Sequence, residues 1–142
     1  MDESLIYLDH AATTYPRQPR VMERMLAQFK EMGCSPGRGG YDLAVEAEAC
    51  VQGVRQRLAA FFGAPEPERV VFCANATEAL NLAIFGLVRP GGHVISTRLE
   101  HNSVLRPLHH LEQTGKIYST LVGFDAAGVV DPEDIARAVR AD

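Results

Sequence analysis

The chain has 142 residues, a formal net charge of −4, and 46% hydrophobic residues. That length is enough for one domain with a real core. The mildly acidic balance and the lack of a basic block exclude a phosphate-tracking nucleic-acid binder. No apolar run reaches the ~18–20 residues of a membrane span, and residues 1–14 have neither the cationic nor the apolar region of a signal peptide.

Read in chain order, Leu5-Ile6-Tyr7-Leu8 predicts a short strand, stopped by Asp9-His10 and the small run Ala11-Ala12-Thr13-Thr14. From Pro19 to Met32, the apolar residues Val21, Met22, Met25, Leu26 and Phe29 recur at helical spacing, with Gly33 suited to the C′ position. Ser35-Pro36-Gly37-Arg38-Gly39-Gly40 is too rich in Gly and Pro for a regular element and predicts a loop. A second helix is predicted over about Asp42 to Phe62, with Ala44, Ala47, Val51, Val54, Leu58 and Phe61 as its stripe and Gly63 as its stop. Val70-Val71-Phe72-Cys73 has the unbroken apolar character of a strand buried on both faces.

Beyond it come a helix over about Ala76–Val88, a strand over His93–Thr97, a helix over Ser103–Thr114 ended by Gly115, and a strand over Ile117–Val122. A last helix opens at Asp131-Pro132, with Asp at N-cap and Pro at N1. The β-α-β-α-β-α order predicts an α/β fold on a parallel sheet of three strands. A sheet of that size ending on a helix keeps a long exposed edge, which is the pattern expected of the front part of a larger fold.

Three places carry chemistry. At Phe72-Cys73-Ala74-Asn75-Ala76-Thr77-Glu78, a strand turns through small residues into a helix. Free N–H groups and the positive dipole end make that turn an anion site, to which Thr77 adds a hydroxyl. The same residues also read as plain capping, with Asn75 at N-cap and Glu78 at N3, and the two readings are compatible. At Leu99-Glu100-His101-Asn102-Ser103, a predicted strand ends where open parallel sheets hold their ligands. An imidazole there stacks on a flat ring or relays a proton; alternatively His101 is a surface histidine, and Ser103 or Asn102 caps the helix. In the glycine-rich loop, Arg38 is free to approach a carboxylate, or the loop is a solvated turn; it has no nucleotide-binding spacing.

The other candidates are weaker. His109 and His110 are adjacent on a helix and face different directions, so no metal site is expected. Cys34, Cys50 and Cys73 lack metal-like spacing and read as reduced thiols of a cytosolic protein, Cys34 in a loop and the other two in core elements. Lys30 and Lys116 are the only lysines, and neither has the desolvated setting that makes a lysine nucleophilic.

Four blocks taken together, in this order and spacing, resemble the opening of the cysteine desulfurase and selenocysteine lyase family, pyridoxal-phosphate enzymes related to class V aminotransferases. The blocks are Tyr7-Leu8-Asp9-His10-Ala11-Ala12-Thr13-Thr14, Ser35-Pro36-Gly37-Arg38-Gly39-Gly40-Tyr41, Asn75-Ala76-Thr77-Glu78-Ala79-Leu80-Asn81-Leu82-Ala83 and Glu100-His101-Asn102-Ser103-Val104.

The resemblance implies the amino-terminal part of a fold type I enzyme. Residues 1–40 would be an N-terminal segment with its loop, and residues 41–142 the first part of the large cofactor-binding domain. It implies that Ala76 and Thr77 hold the phosphate of pyridoxal 5′-phosphate and that His101 is the ring-stacking, proton-handling residue. Ala11 and Ala12 would close over the substrate, and Arg38 would approach from the neighbouring subunit of a homodimer. The implied substrate is cysteine or selenocysteine, the setting cytoplasmic, and a sulfur-acceptor protein the partner. The family's cofactor-bearing lysine, ring-pairing aspartate, persulfide-forming cysteine and carboxylate-gripping arginine would all lie beyond residue 142. The chain alone is therefore expected to be catalytically incomplete. Half of a split enzyme, a related lyase or aminotransferase, and a non-catalytic binding or dimerisation module remain the alternatives.

Overall fold

A computed structural model describes residues 5–140, which form two compact units dividing between Val70 and Val71. The first unit holds α1 (Pro19–Glu31), α2 (Asp42–Phe62) and a single 3₁₀ turn at Pro67–Arg69. The second holds α3 (Ala76–Leu87), β1 (Gly92–Thr97), α4 (Asn102–Gln113), β2 (Ile117–Val122) and α5 (Pro132–Ala138).

In the first unit, α1 starts on Pro19, whose missing N–H costs nothing at that position. Gly33 departs from expectation: it does not take a left-handed conformation. A Cβ there would lie 2.9 Å from the Phe29 carbonyl oxygen, so glycine is required by close approach and not by turn handedness. Helix α2 does end in a left-handed cap, at Gly63 with φ 68°. Its buried positions are Ala44, Ala47 and Ala59. Phe61, expected on the buried stripe, is 80% exposed and packs edge-on against Phe62. Arg55 reaches from α2 to the Val70 carbonyl at 2.7 Å.

In the second unit, the β-branched run of β1 pairs in parallel with β2, from Gly92 opposite Ile117 to Thr97 opposite Val122. The ladder is extended at both ends by Gly91 N–H to Lys116 C=O and Arg98 N–H to Val122 C=O. Helix α4 is the crossover between the two strands, as parallel pairing demands. It closes on Gly115 at φ 68°, where Gly115 N–H bonds Glu112 C=O and Lys116 N–H bonds Leu111 C=O. Leu108, Leu111 and Ile117 form the buried centre, flanked by Ile84, Val88, Val94 and Val104. Helix α5 is capped as expected, the Asp131 side chain accepting Glu133 N–H at 2.9 Å.

The predicted three-stranded sheet is corrected to two strands. Val70–Cys73 and Leu5–Leu8 are not part of a sheet. Apolar, β-branched composition makes a strand only where a neighbour offers its own N–H and C=O groups, and neither run finds one among the described residues. Val71 and Phe72 are accordingly 63% and 48% exposed, not buried on two faces.

Because three residues form the buried centre of the second unit, Leu108→Ala is expected to destabilise it by about 2–5 kcal/mol, read from the urea midpoint. A second expectation concerns acid. The Ser119 hydroxyl, then the Ser119 N–H, hold the Glu112 carboxyl below its ordinary value of 4.5, with His109 adding a smaller pull. A carboxyl lowered by folding stabilises the fold above its unfolded value, and that contribution fades as pH falls through the lowered value. Glu112→Gln should therefore flatten the loss of thermal stability on acidification below about pH 4.5.

Candidate functional site at the start of α3 and α4

Helix α3 begins at a doubly tied turn. The Asn75 side chain accepts the Glu78 N–H at 2.9 Å, and the Glu78 carboxylate reaches back to the Ala74 N–H at 2.7 Å. This is the reciprocal logic of a capping box, shifted one residue outward. The Ala79 N–H is taken by the Asn75 carbonyl. Of the donors at this helix start, the Ala76 and Thr77 N–H groups keep no partner among the described residues. Both residues are exposed. Capping thus uses the Glu78 N–H and leaves the Ala76 and Thr77 N–H groups over.

The loop after β1 is built by side chains. Thr97 Oγ1 accepts from Leu99 N–H and donates to Glu100 Oε1, both at 3.2 Å. The N-cap of α4 is His101 itself, not Asn102 or Ser103: its Nδ1 accepts the Ser103 N–H at 3.1 Å. The Ser103 Oγ lies 2.9 Å from the same nitrogen. His101 is exposed, whereas Ser103 is 7% exposed and is the buried polar residue of the described chain.

Asn81 joins the two helix starts. Its side-chain N–H₂ donates to the Thr77 carbonyl at 2.8 Å and to the Ser103 carbonyl at 3.3 Å. The second bond has a cause in the sequence of α4. The Ser103 carbonyl would ordinarily accept from residue 107 of the same helix. That residue is the buried Pro107, which has no N–H. The carbonyl left over is the one Asn81 takes. The resemblance contained Asn81 without assigning it a role, and apolar spacing gave Pro107 no weight. The usable signal was the pairing of an intrahelical proline with the residue four places before it.

The remaining candidates lie elsewhere. Ala11 and Ala12 sit in an exposed turn of the first unit, closed by Ala12 and Thr13 N–H groups on the Asp9 carbonyl and by the Tyr7 hydroxyl on the Asp9 and Thr13 carbonyls. Arg38 is exposed between Gly37 and Gly39. Gly37 has φ 73° and lies where a Cβ would meet Glu48; a Cβ on Gly39 would strike the Tyr41 ring. Lys30 and Lys116 are exposed. The three cysteines are free and half-buried, with Cys34 Sγ donating to the Leu43 carbonyl. No group of three or more potential metal ligands occurs among the described residues, and no helix there is long and apolar enough to cross a membrane.

The second unit thus combines a helix start that keeps two N–H groups without a partner among the described residues, an imidazole at the cap of the next helix, and a parallel β-α-β unit. Residues 6–142 match the aminotransferase class-V family, and the chain belongs to that family. It is 36% identical over 141 residues to a cysteine desulfurase IscS of Dictyoglomus turgidum, covering 96% of this chain and 35% of that protein. Among solved structures, the apo cysteine desulfurase of Thermococcus onnurineus NA1 is similar at TM-score 0.79 and 28% identity, covering 94% of this chain and 34% of that one. A structure described as SspA in complex with cysteine is similar at TM-score 0.79 and 29% identity, covering 95% and 39%. The chain thus spans about a third of the length of these relatives.

The Asn81 link makes a specific prediction. Asn81→Ala should cost about 1–2 kcal/mol in urea unfolding. Asn81→Asp should cost more, because a carboxylate would face two carbonyl oxygens with no donor. Amide shifts at Thr77 and Ser103 should move together in both variants.

Proposed function

We propose that this chain is the cofactor-binding amino-terminal portion of a pyridoxal-phosphate-dependent cysteine desulfurase, which converts L-cysteine to L-alanine and an enzyme persulfide. The observation that carries the reading is the convergence, through Asn81, of the Thr77 turn and the His101 loop. The donors left over at that turn fit a phosphate monoester: two outward N–H groups, the Thr77 hydroxyl and the positive end of a helix of 12 residues.

In this reading, Ala76 and Thr77 bind the cofactor phosphate, and His101 presents its ring to the pyridine. When bound, the cofactor supplies an electron sink for the bonds broken in the substrate. His101 holds or moves a proton at its outward nitrogen. Ala11 and Ala12 close over the amino acid, cysteine or selenocysteine, and Arg38 serves the site of the neighbouring subunit in a homodimer. Residues 1–40 form the N-terminal segment with its Gly-rich loop, and residues 41–142 begin the large domain.

The lysine that carries the cofactor, the persulfide cysteine and the substrate-gripping arginine have no counterpart at matching positions in this sequence. The chain by itself is therefore catalytically incomplete. The longer protein acts in the cytoplasm and passes its sulfur to an acceptor protein. The similarity to a structure described as a complex with cysteine supports cysteine over other amino acids as the substrate.

The test uses pyridoxine 5′-phosphate, whose alcohol cannot form an imine with Lys30 or Lys116. Titrated into the ¹⁵N-labelled chain, it should shift the Ala76, Thr77 and His101 resonances together. Pyridoxine, lacking the phosphate, should bind about a hundredfold more weakly, and Thr77→Val should weaken the phosphate ester about tenfold. Equal binding of the two ligands, or shifts confined to other residues, would defeat the assignment.

A further inference from the structure

We propose that Ser103 is a positioning residue that fixes the tautomer of His101, keeping Nδ1 unprotonated and the ring proton on Nε2. The use made of that proton rests on the reading of His101 given above; the tautomer itself does not.

The argument is one of donor and acceptor counting. In a neutral imidazole one nitrogen carries a proton and the other a single lone pair. The Ser103 N–H points at Nδ1 from 3.1 Å. A backbone N–H cannot turn round, so a proton on Nδ1 would set two donors against each other. It would also strip α4 of its cap, because no other side chain takes the Ser103 N–H.

The hydroxyl adds a second constraint of the same sign. Ser103 Oγ lies 2.9 Å from Nδ1. Ser103 is 7% exposed, so its O–H has little water to turn to, and a buried hydroxyl is expected to find a partner. At the second residue of a helix there is no carbonyl a turn back to receive it. The Nδ1 lone pair is the acceptor in reach. With both donors on that lone pair, the proton must sit on Nε2.

The third polar group of Ser103, its carbonyl, receives Asn81. Ser103 is thereby held from the α3 side while it holds His101. A serine one position away would lack one of these contacts: residue 102 precedes the N–H that meets Nδ1, and the carbonyl of residue 104 is not the one that faces Pro107.

The test needs no cofactor and no turnover. Imidazole ¹⁵N spectra of the 142-residue chain, recorded at about pH 8.5 and thus above the ordinary imidazole range, report which nitrogen bears the proton. The His101 signals are assigned by their loss in His101→Gln. The wild type should show a protonated Nε2 and an unprotonated Nδ1. Ser103→Ala, which keeps the backbone N–H, should raise the Nδ1-protonated share about fivefold, the worth of one hydrogen bond. Ser103→Thr, which keeps the hydroxyl, should restore the wild-type ratio. A role confined to helix stability would change the urea midpoint in Ser103→Ala and leave the ratio untouched, and that result overturns the proposal; so does a wild-type Nδ1–H tautomer. Failure of pyridoxine 5′-phosphate to perturb His101 bears instead on the cofactor reading and leaves the tautomer result to judge Ser103.

Discussion

A proline that cannot donate sets the relation between the two helix starts. Pro107 leaves the Ser103 carbonyl without its partner four residues on, inside a helix whose neighbouring positions Pro107, Leu108 and Leu111 are buried. A carbonyl in such surroundings needs a donor, and losing it costs more than the bond contributes when present. Asn81 meets the need from α3, and its second N–H grips the Thr77 carbonyl. The relative position of the Thr77 turn and the imidazole is thus not left to apolar packing, which would tolerate sliding of one helix along the other. A directional bond fixes it to within the tolerance of a hydrogen bond.

The same economy of donors runs through each helix start. At α3, Asn75 takes the Glu78 N–H and Glu78 takes the Ala74 N–H, and what remains outward belongs to Ala76 and Thr77. At α4, the N-cap is a histidine, an unusual choice beside Ser, Thr, Asp or Asn. An imidazole caps with one nitrogen and still offers the other. The capping residue can therefore serve a ligand without uncapping its helix, which a serine hydroxyl at the same position could not do at comparable reach.

Much of this was legible in the sequence, and what was not has identifiable causes. The helix span Asp42–Phe62 follows from its apolar period and from Gly63 after it, because period and left-handed caps are local properties. Val70–Cys73 misleads for the opposite reason. Its composition is that of a strand, but a strand is a relation between two segments, and a single run cannot report whether its partner exists. Gly33 misleads because two different demands, handedness and close approach, select the same residue. The site divides along the same line. The Thr77 turn is a local motif and is readable. The Asn81–Ser103 bond joins residues 22 apart, and only the proline hints at it, by what it takes away.

Composition also explains how a small unit supports an exposed site. The buried centre is Leu108, Leu111 and Ile117, and it lies at the far end of α4 from His101. Apolar packing secures the carboxyl-terminal half of α4 against β2. The amino-terminal half adds polar contacts to the packing of Val104: Nδ1 of His101, the Ser103 hydroxyl and the Asn81 amide. Ala76, Thr77 and His101 stand exposed to solvent. The polar contacts make the geometry depend on a few donors: two from Ser103 meet Nδ1 of His101, and the Asn81 amide meets two carbonyls. Substitutions of Ser103, Asn81 or Pro107 should therefore disturb the relation between the two helix starts as well as the stability of the fold.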